Sequence, residues 1–288
     1  GWHGEHDYAQ QNAAGDPAEF LGAPKPDSSG IPGAATQTVR VAPFNDLDST
    51  LEILDAYTDE IAAVIVEPLQ RAIRPEPGFL EGLRKATRDR SILLIFDEIV
   101  TGFRLAWGGA QEKYGVTADL TVYGKTISGG HPLAAICGRA DILTYVDPGR
   151  KGHTDYVFIS GTTNGNPVST TAGLATLHEL QKEGVYPRLY EISNRLRDGL
   201  EALGRERGLP LQVIGEGPVL QPFFTETNIR THIDTFQADA DKARAFGVEM
   251  IRNGIFVTPG TKLYLSLAHT DADIDRALEA ARKALGQI

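Results

Sequence analysis

The chain has 288 residues, of which 41% are hydrophobic and 23% are charged, and its formal net charge is −10 at pH 7. This length and composition are typical of a globular protein with one large domain, or a large domain and a smaller one. The acidic balance argues against nonspecific binding of nucleic acid and against docking on anionic membranes, since both need an excess of Lys and Arg. A small phosphorylated ligand is not excluded, because one local pocket is enough to bind it.

The cysteine content and the absence of targeting signals both bear on the cellular compartment. Cys137 is the single cysteine, so no internal disulfide can form, and a reducing compartment is expected. The first ten residues lack the basic and apolar regions of a signal peptide, and no apolar run has the length of a membrane helix. We therefore predict a cytoplasmic protein.

The N-terminal part begins without periodicity. Residues 1–36 are rich in Gly, Ala, Pro, Asp and Ser and are predicted to form loops, and residues 36–43 are a candidate strand. An Asp cap and helical spacing predict a helix over 46–57. The apolar run that ends at Glu67-Pro68 predicts a buried parallel strand over 62–68.

The next segments alternate between helical and strand patterns. The spacing predicts an amphipathic helix over 78–90 and strands over 91–98, 118–125 and 133–138. This alternation indicates an α/β sheet that is covered on both faces.

The pattern changes after residue 186, where we place a domain boundary. A helix over 170–183 precedes this boundary. The elements after it are helices over 187–207, 239–254 and 270–286, antiparallel strands over 211–226, and a hairpin over 254–267 that turns at Pro259-Gly260. We expect a large domain over 1–186 and a small α+β domain over 187–288.

Three ionisable residues directly follow predicted strands: Glu67, Asp97 and Lys125. In open α/β sheets, ligands bind at the carboxyl ends of the strands. Desolvation among apolar strands lowers the pKa of a lysine, and its neutral amine is then a nucleophile. A carboxylate on a neighbouring strand end keeps a heteroaromatic ring nitrogen protonated. Lys125 and Asp97 are therefore the residue types that a pyridoxal-phosphate site needs, a lysine for the Schiff base and a carboxylate for the ring nitrogen.

Each of these residues also has a plainer explanation. A strand-end lysine is usually a solvated charge, an Asp-Glu pair often caps the next helix, and Glu67-Pro68 can simply end a strand. Cys137 lies inside an apolar strand and is expected to be inert. The seven histidines show no metal-ligand spacing, so no metal site is predicted.

A phosphate group also needs a binding segment. Residues 161–166 (GTTNGN) place Gly161, Thr162 and Thr163 before a predicted helix start. Backbone amides, hydroxyl groups and the positive end of a helix suit a phosphate dianion. Turns of this composition are common, so the segment alone is weak support.

Two segments resemble the central motifs of class III aminotransferases: LLIFDEIVTGFR (93–104) and YGKTISGGHPLAA (123–135). Residues 107–120 between them resemble the glutamate-1-semialdehyde aminomutase branch of that family. Further matches occur at 1–4, 62–70, 160–167 and 265–275. The resemblance covers nearly the whole chain. It implies the fold-type-I architecture of pyridoxal-phosphate transferases, a three-layer αβα domain with a mostly parallel sheet and a small C-terminal α+β domain.

The resemblance also implies roles for individual residues. Lys125 carries the cofactor and moves a proton between the substrate carbon and the cofactor carbon, and Asp97 pairs with the pyridinium nitrogen. Ile99 packs against one side of the ring. Trp2 replaces the family's usual tyrosine in a Tyr-His-Gly motif and is expected to stack on the other side.

The remaining implied contacts involve the edge of the cofactor and its phosphate. Gln70 lies where the family often has a polar group near the ring hydroxyl. Thr162, with Gly161 beside it, matches the threonine that reaches the phosphate of the partner subunit's cofactor. A homodimer with shared active sites is therefore implied.

The chain departs from the family at its start. Family members carry a substantial segment before the Tyr-His-Gly motif, with a phosphate loop and often an arginine that binds the substrate carboxylate. This chain begins at Gly1, and Met250 is its single methionine. We therefore expect a truncated protein whose large domain is N-terminally incomplete, with apolar surface that dimerisation hides.

A second departure lies near the C-terminus. Residues 259–270 are shorter than the corresponding loop of the aminomutases, and Tyr264 and Leu265 occupy a stretch where other relatives have an arginine. The short loop favours a transaminase, which moves an amino group from an amine or amino acid to a keto acid or aldehyde. Two alternatives stay open: an intramolecular amino shift, as in the aminomutases, and a catalytically silent homologue.

Overall fold

The computed structural model describes residues 2–12 and 24–288. The helices are α1 (Gly33–Gln37), α2 (Leu47–Ala56), α3 (Phe79–Asp89), α4 (Gly109–Tyr114), α5 (Ala140–Leu143), α6 (Pro167–Leu180), α7 (Val185–Glu206), α8 (Ala240–Arg252) and α9 (Asp271–Ala284). The strands are β1 (Gln11–Asn12), β2 (Lys25–Pro26), β3 (Ala63–Val66), β4 (Leu93–Glu98), β5 (Leu120–Tyr123), β6 (Ala135–Gly138), β7 (Leu211–Glu216), β8 (Val219–Phe224) and β9 (Leu263–Tyr264). Gly1 and residues 13–23 of the predicted N-terminal loop lie outside the described residues.

Two compact units make up the chain. The parallel-sheet unit contains residues 58–68 and 80–183, and the composite unit contains residues 1–57, 69–79 and 184–288. The change at residue 184 lies close to the boundary that we placed near residue 186. Residues 1–57 and 69–79, however, group with the C-terminal part of the chain. The division into domains over 1–186 and 187–288 stays a prediction.

The parallel-sheet unit contains a four-stranded sheet in the order β3-β4-β5-β6. The first three strands are parallel, and β6 pairs antiparallel with β5 at the edge. The sequence predicted these four strands, and the mostly parallel α/β sheet is confirmed. Leu94 and Phe96 of the central strand β4 are fully buried, as expected for a short apolar strand between two neighbours.

The composite unit contains the antiparallel sheet β7-β8-β9 and the helices α7, α8 and α9. On α7, buried residues recur every three to four positions, which places them on one face of the helix. These are Leu189, Ile192, Leu196, Leu200 and Leu203. The face packs in a core with Phe246 and Met250 of α8 and Ile274 of α9. The predicted helices and the predicted strand pair over 211–226 are confirmed.

Two predicted elements are wrong. The candidate strand over 36–43 is absent: α1 ends at Gln37, and the residues after it form neither helix nor strand. The predicted hairpin over 254–267 contributes only β9, which pairs with β8. The turn itself forms, since Thr261 N donates to Thr258 O, but Ile255 and Val257 pack against the core of the unit instead of pairing with β9. The alternation of apolar residues here therefore results from packing against the core, not from hydrogen bonding between paired strands.

Some apolar side chains of the parallel-sheet unit are exposed. Ile65 on β3 is 43% exposed and Ile136 on β6 is 52% exposed, so the prediction that the sheet is covered on both faces is met at β4 but not at these two strands. Cys137 of β6 is exposed as well. In the part of the chain that the structure describes, no helix is long and apolar enough to cross a membrane.

Candidate active site

The ends of three parallel strands carry the ionisable residues that the sequence singled out. Glu67 directly follows β3, Asp97 lies near the end of β4, and Lys125 comes two residues after β5. Asp97 is aligned with Val122 in the ladder between β4 and β5. The fold therefore brings these three residues to one edge of the sheet, which is where α/β proteins bind ligands.

Asp97 is a buried carboxylate, with 5% of its surface exposed. Its Oδ1 accepts a hydrogen bond from the backbone N of Ile99 at 3.1 Å, which fixes the side chain at the point where β4 ends. Ile99 is half-buried and lies over Gly124, since an added Cβ at Gly124 would be 3.5 Å from its methyl carbon. A hydrogen bond therefore joins Asp97 to Ile99, and Ile99 packs against Gly124, the residue before Lys125.

Lys125 has an unusual backbone conformation. Its φ of 50° lies in the left-handed region, although it is not a glycine, and it begins a 3₁₀ turn, Lys125–Ser128. For an L-residue with a Cβ this conformation costs roughly 1–2 kcal/mol. Such strained residues cluster at functional sites, where the surrounding structure holds them. The turn is followed by Gly129, and its Ser128 Oγ donates to the carbonyl of His131.

The amine of Lys125 is held in a partly desolvating, charged environment. Part of its surface is exposed, yet desolvation lowers the pKa of Lys125 below its ordinary value. Asp97 opposes this shift in pKa by favouring the ammonium form, Arg104 adds to it by repulsion, and Glu67 opposes it. The lowered pKa agrees with the expectation from the sequence. It makes a neutral, nucleophilic amine available at a lower pH than for a free lysine.

The loop that we expected to bind phosphate is exposed. Gly161 and Thr162 both lie at the surface of the chain. The helix end after the loop is already satisfied, because the Asn166 side chain accepts hydrogen bonds from Val168 N at 2.9 Å and Ser169 N at 3.2 Å. The expectation that this helix end helps to seat a phosphate stays a prediction. The roles of Gly161 and Thr162 themselves stay predictions.

Trp2 and Gln70 belong to the composite unit. Trp2 is 52% exposed. Gln70 is half-buried and exchanges two backbone hydrogen bonds with Ile73, at 3.0 and 2.8 Å. Among the described residues no donor reaches the buried Oε1 of Gln70. This atom is free to accept a hydrogen bond from a ligand hydroxyl group.

Two residues near the strand ends were not predicted from the sequence. Arg104 contributes to the electrostatics of Lys125, but it lies in an irregular segment whose course no periodic pattern indicates. Glu98 is fully buried on the other face of β4 and binds the start of α4. The capping explanation that we gave for the Asp-Glu pair thus holds for Glu98, whereas Asp97 lies at the binding edge.

Comparisons with known proteins agree with this arrangement. The family model described as "Aminotransferase class-III" matches residues 4–285. Glutamate-1-semialdehyde 2,1-aminomutase 2 of Brevibacillus brevis is 42% identical over 266 residues, which are 90% of this chain and 61% of that protein. The chain therefore spans about three fifths of the length of this curated relative.

Solved structures are similar as well. An ω-transaminase from Sphaerobacter thermophilus superimposes with a TM-score of 0.91 at 32% identity, over 99% of this chain and 66% of that one. A structure described as a transaminase with PLP bound superimposes with a TM-score of 0.87 at 26% identity, over 100% of this chain and 65% of that one. The fold predicted from the sequence is confirmed by these structures.

Proposed function

Because the chain belongs to the class III aminotransferases, we propose that it binds pyridoxal phosphate at the ends of β4 and β5 and catalyses amino-group transfer. The donor is an amine or amino acid, and the acceptor is a keto acid or aldehyde. The main support for this proposal is the interaction between two residues at the strand ends. Lys125, strained into the left-handed region, interacts electrostatically with the buried Asp97 on the neighbouring strand.

The residues at this edge fit the cofactor. When bound, pyridoxal phosphate supplies an aldehyde with which amines condense and a ring that accepts electrons. Asp97 supplies a buried negative charge that holds a proton on a ring nitrogen, and half-buried Ile99 supplies an apolar contact surface. The contact of Gln70 with the ring hydroxyl group and the stacking of Trp2 on the ring stay predictions.

Lys125 has two tasks in this proposal. Its neutral amine attaches covalently to the cofactor, and the lowered pKa makes that form available. Once a substrate amine has displaced it, the same Nζ atom can accept and deliver a proton. Both tasks need the amine to be deprotonated for part of the cycle, which its partly desolvated position favours.

A homodimer forms part of the proposal. Directly before the predicted phosphate loop, Val157, Phe158 and Ile159 are 51%, 71% and 51% exposed. Contiguous exposed apolar residues are typical of surfaces that pack against another chain. In such a dimer, we expect Thr162 and Gly161 to contact the phosphate in the partner's site. A cytoplasmic location also stays a prediction, supported by the single cysteine.

An intramolecular amino shift is the second candidate. The 42% identical relative is named an aminomutase, which favours this reaction. Against it stands the short segment after Pro259. A mutase returns the amino group to the same molecule, whereas a transaminase stops after half a cycle if no acceptor is present.

The test uses the purified chain incubated with pyridoxal phosphate. We expect an absorbance band that depends on Lys125 and is absent from Lys125→Ala. An amino donor alone should then bleach this band once, and a keto acid should restore it. Continuous turnover of glutamate 1-semialdehyde without an acceptor would establish the amino shift instead. No lysine-dependent band at all would identify a silent homologue and end the proposal.

A further inference from the structure

Asp97 is followed by a second acidic residue, Glu98, whose side chain lies on the opposite face of β4 because successive strand residues alternate between faces. Glu98 is fully buried. A buried carboxylate is unfavourable unless hydrogen-bond donors surround it. The proposed reaction does not use Glu98, so its presence at this position needs another physical reason.

Three donors surround the Glu98 carboxylate. Its Oε2 accepts from Thr101 Oγ1 at 3.0 Å and from the backbone N of Ala110 at 2.6 Å, and its Oε1 accepts from the backbone N of Gln111 at 3.2 Å. Gly109 leaves the necessary space, since an added Cβ there would lie 2.2 Å from Glu98 Oε2. Desolvation raises the pKa of Glu98, and the hydrogen bonds oppose that rise. Glu98 thus joins the end of β4 to the first turn of α4.

The helix is joined in turn to β5. The Nε2 of Gln111 donates to the hydroxyl group of Tyr123 at 3.1 Å, and its Oε1 accepts from the backbone N of Ala118 at 3.1 Å. Tyr123 is the last residue of β5 and is aligned with Glu98 in the ladder. Hydrogen bonds therefore connect the ends of β4 and β5 through α4, in addition to the backbone ladder.

Tyr123 is also held by packing. Its ring lies 5.3 Å from the ring of Phe103, centroid to centroid. It lies so close to Gly102 that an added Cβ there would be 2.4 Å from a ring carbon. Desolvation, together with the charge of Glu98, raises the pKa of Tyr123 to about 12. The hydroxyl group stays protonated at neutral pH, and the ring has little freedom to shift.

We infer that Glu98, Gln111 and Tyr123 are positioning residues, which fix the ends of β4 and β5 and thereby the placement of the Lys125 amine relative to the Asp97 carboxylate. Each end of the network is next to a residue of the site: Glu98 follows Asp97, and Tyr123 precedes Lys125 by two positions. The importance of these three residues for catalysis rests on the proposed function. Their effect on the position of the Lys125 amine does not depend on it.

Lys125 can report on its own placement without cofactor. Only the neutral amine reacts with acetic anhydride, so trace acetylation across a pH series, quantified by peptide mass spectrometry, follows the ionisation of Lys125. The groups that act on it are Asp97, Arg104 and Glu67. If the strand ends loosen, the amine gains water, its pKa rises towards the ordinary value, and labelling near pH 8 slows. Lys151, which is exposed in the same unit, serves as the internal standard for the reagent.

The variants are Glu98→Gln, Gln111→Met and Tyr123→Phe. Tyr123→Phe removes a single hydroxyl group and keeps the ring, so it tests the idea even if Glu98→Gln folds poorly. We expect labelling of Lys125 at pH 8 to slow by about 3- to 10-fold, since a tenfold loss of neutral amine corresponds to one pKa unit. In protein loaded with cofactor, the Lys125-dependent absorbance band should shift its pH dependence in the same variants.

Asp119→Asn is the matched control. Asp119 is a buried carboxylate at the opposite end of the same strands, where its Oδ2 accepts from Leu94 N at 2.8 Å. It also forms ion pairs with Arg84 at 2.8 Å and Arg139 at 3.0 Å. Removing the Asp119 carboxylate weakens the contacts between β4 and β5 at the end of the strands that is far from Asp97 and Lys125. We expect lower thermal stability in this variant and unchanged labelling of Lys125.

The outcomes separate the two proposals. Unchanged labelling in all three network variants, or an equal slowing in Asp119→Asn, overturns the positioning role. If labelling slows only in the network variants but the wild-type chain forms no adduct with pyridoxal phosphate, the proposed function fails and the positioning role stands.

Discussion

The strand-end region around Asp97 and Lys125 and the loop over 161–166 were both assigned to the cofactor, but their structures differ. At the strand ends a buried carboxylate, a strained lysine and a packed isoleucine form one arrangement within a single unit. In the loop, Gly161 and Thr162 are exposed, and the amides of the next helix are taken by Asn166.

In the proposed function, the strand ends hold the ring and form the covalent bond, whereas the loop contacts the phosphate. The positions of Asp97 and Lys125 are set by β4 and β5, which are neighbouring strands of one chain. A loop flanked by exposed Val157, Phe158 and Ile159 is instead suited to contribute to a site on another subunit. The two regions should therefore respond differently to mutation.

The largest effect is expected at Lys125. Lys125→Ala removes the amine that attaches the cofactor and carries the proton, so the transamination rate should fall by about 10³-fold or more, as for other residues that form covalent bonds. Single-turnover measurements with saturating pyridoxal phosphate check this. A loss below about tenfold would mean that another amine does the chemistry.

Asp97→Asn is expected to have the next largest effect. The amide keeps the shape of the side chain but loses its charge, so a protonated ring nitrogen is no longer favoured. Loss of a charge-assisted hydrogen bond of about 1.5–3 kcal/mol corresponds to about 10- to 100-fold weaker cofactor binding. Equilibrium titration with pyridoxal phosphate measures this. Equal affinity in the variant and the wild type would separate Asp97 from the site.

Thr162→Glu tests whether the loop serves the partner subunit. The added carboxylate repels a phosphate, and we expect cofactor binding to weaken by about tenfold. Mixing Thr162→Glu with Lys125→Ala should then restore activity, because one site of each hybrid dimer combines an intact lysine with an intact threonine. If dissociation and mixing of the two variants restores nothing, the loop acts within its own chain or not at all.

The smallest effect on chemistry is expected in the composite unit. Thr270 caps α9 in a capping box with Asp273, and its Oγ1 accepts from the Asp273 N at 3.2 Å. Thr270→Ala should cost about 1 kcal/mol of stability and lower the Tm by roughly 2–4 °C. Calorimetry measures the loss. Cofactor binding at the parallel-sheet unit should not change, and a matching loss of binding would show that overall stability controls the site.

The sequence predicted best where short-range patterns decide structure. Apolar runs predicted β3, β4 and β5, and the residues after them marked the binding edge. It predicted least where burial competes with strand pairing: Ile255 and Val257 suggested a hairpin strand but pack against a core built from both helices and strands. The left-handed backbone of Lys125 and the network from Glu98 to Tyr123 depend on contacts between distant segments, which no local pattern encodes.

The covalent position of the cofactor can be read directly. The chain is loaded with pyridoxal phosphate, reduced with borohydride, digested, and mapped by mass spectrometry. We expect one pyridoxyl adduct per chain, on the peptide that contains Lys125, and none in chains reduced before loading. An adduct confined to any other lysine, or no adduct at all, would contradict the assignment of this strand end as the active site.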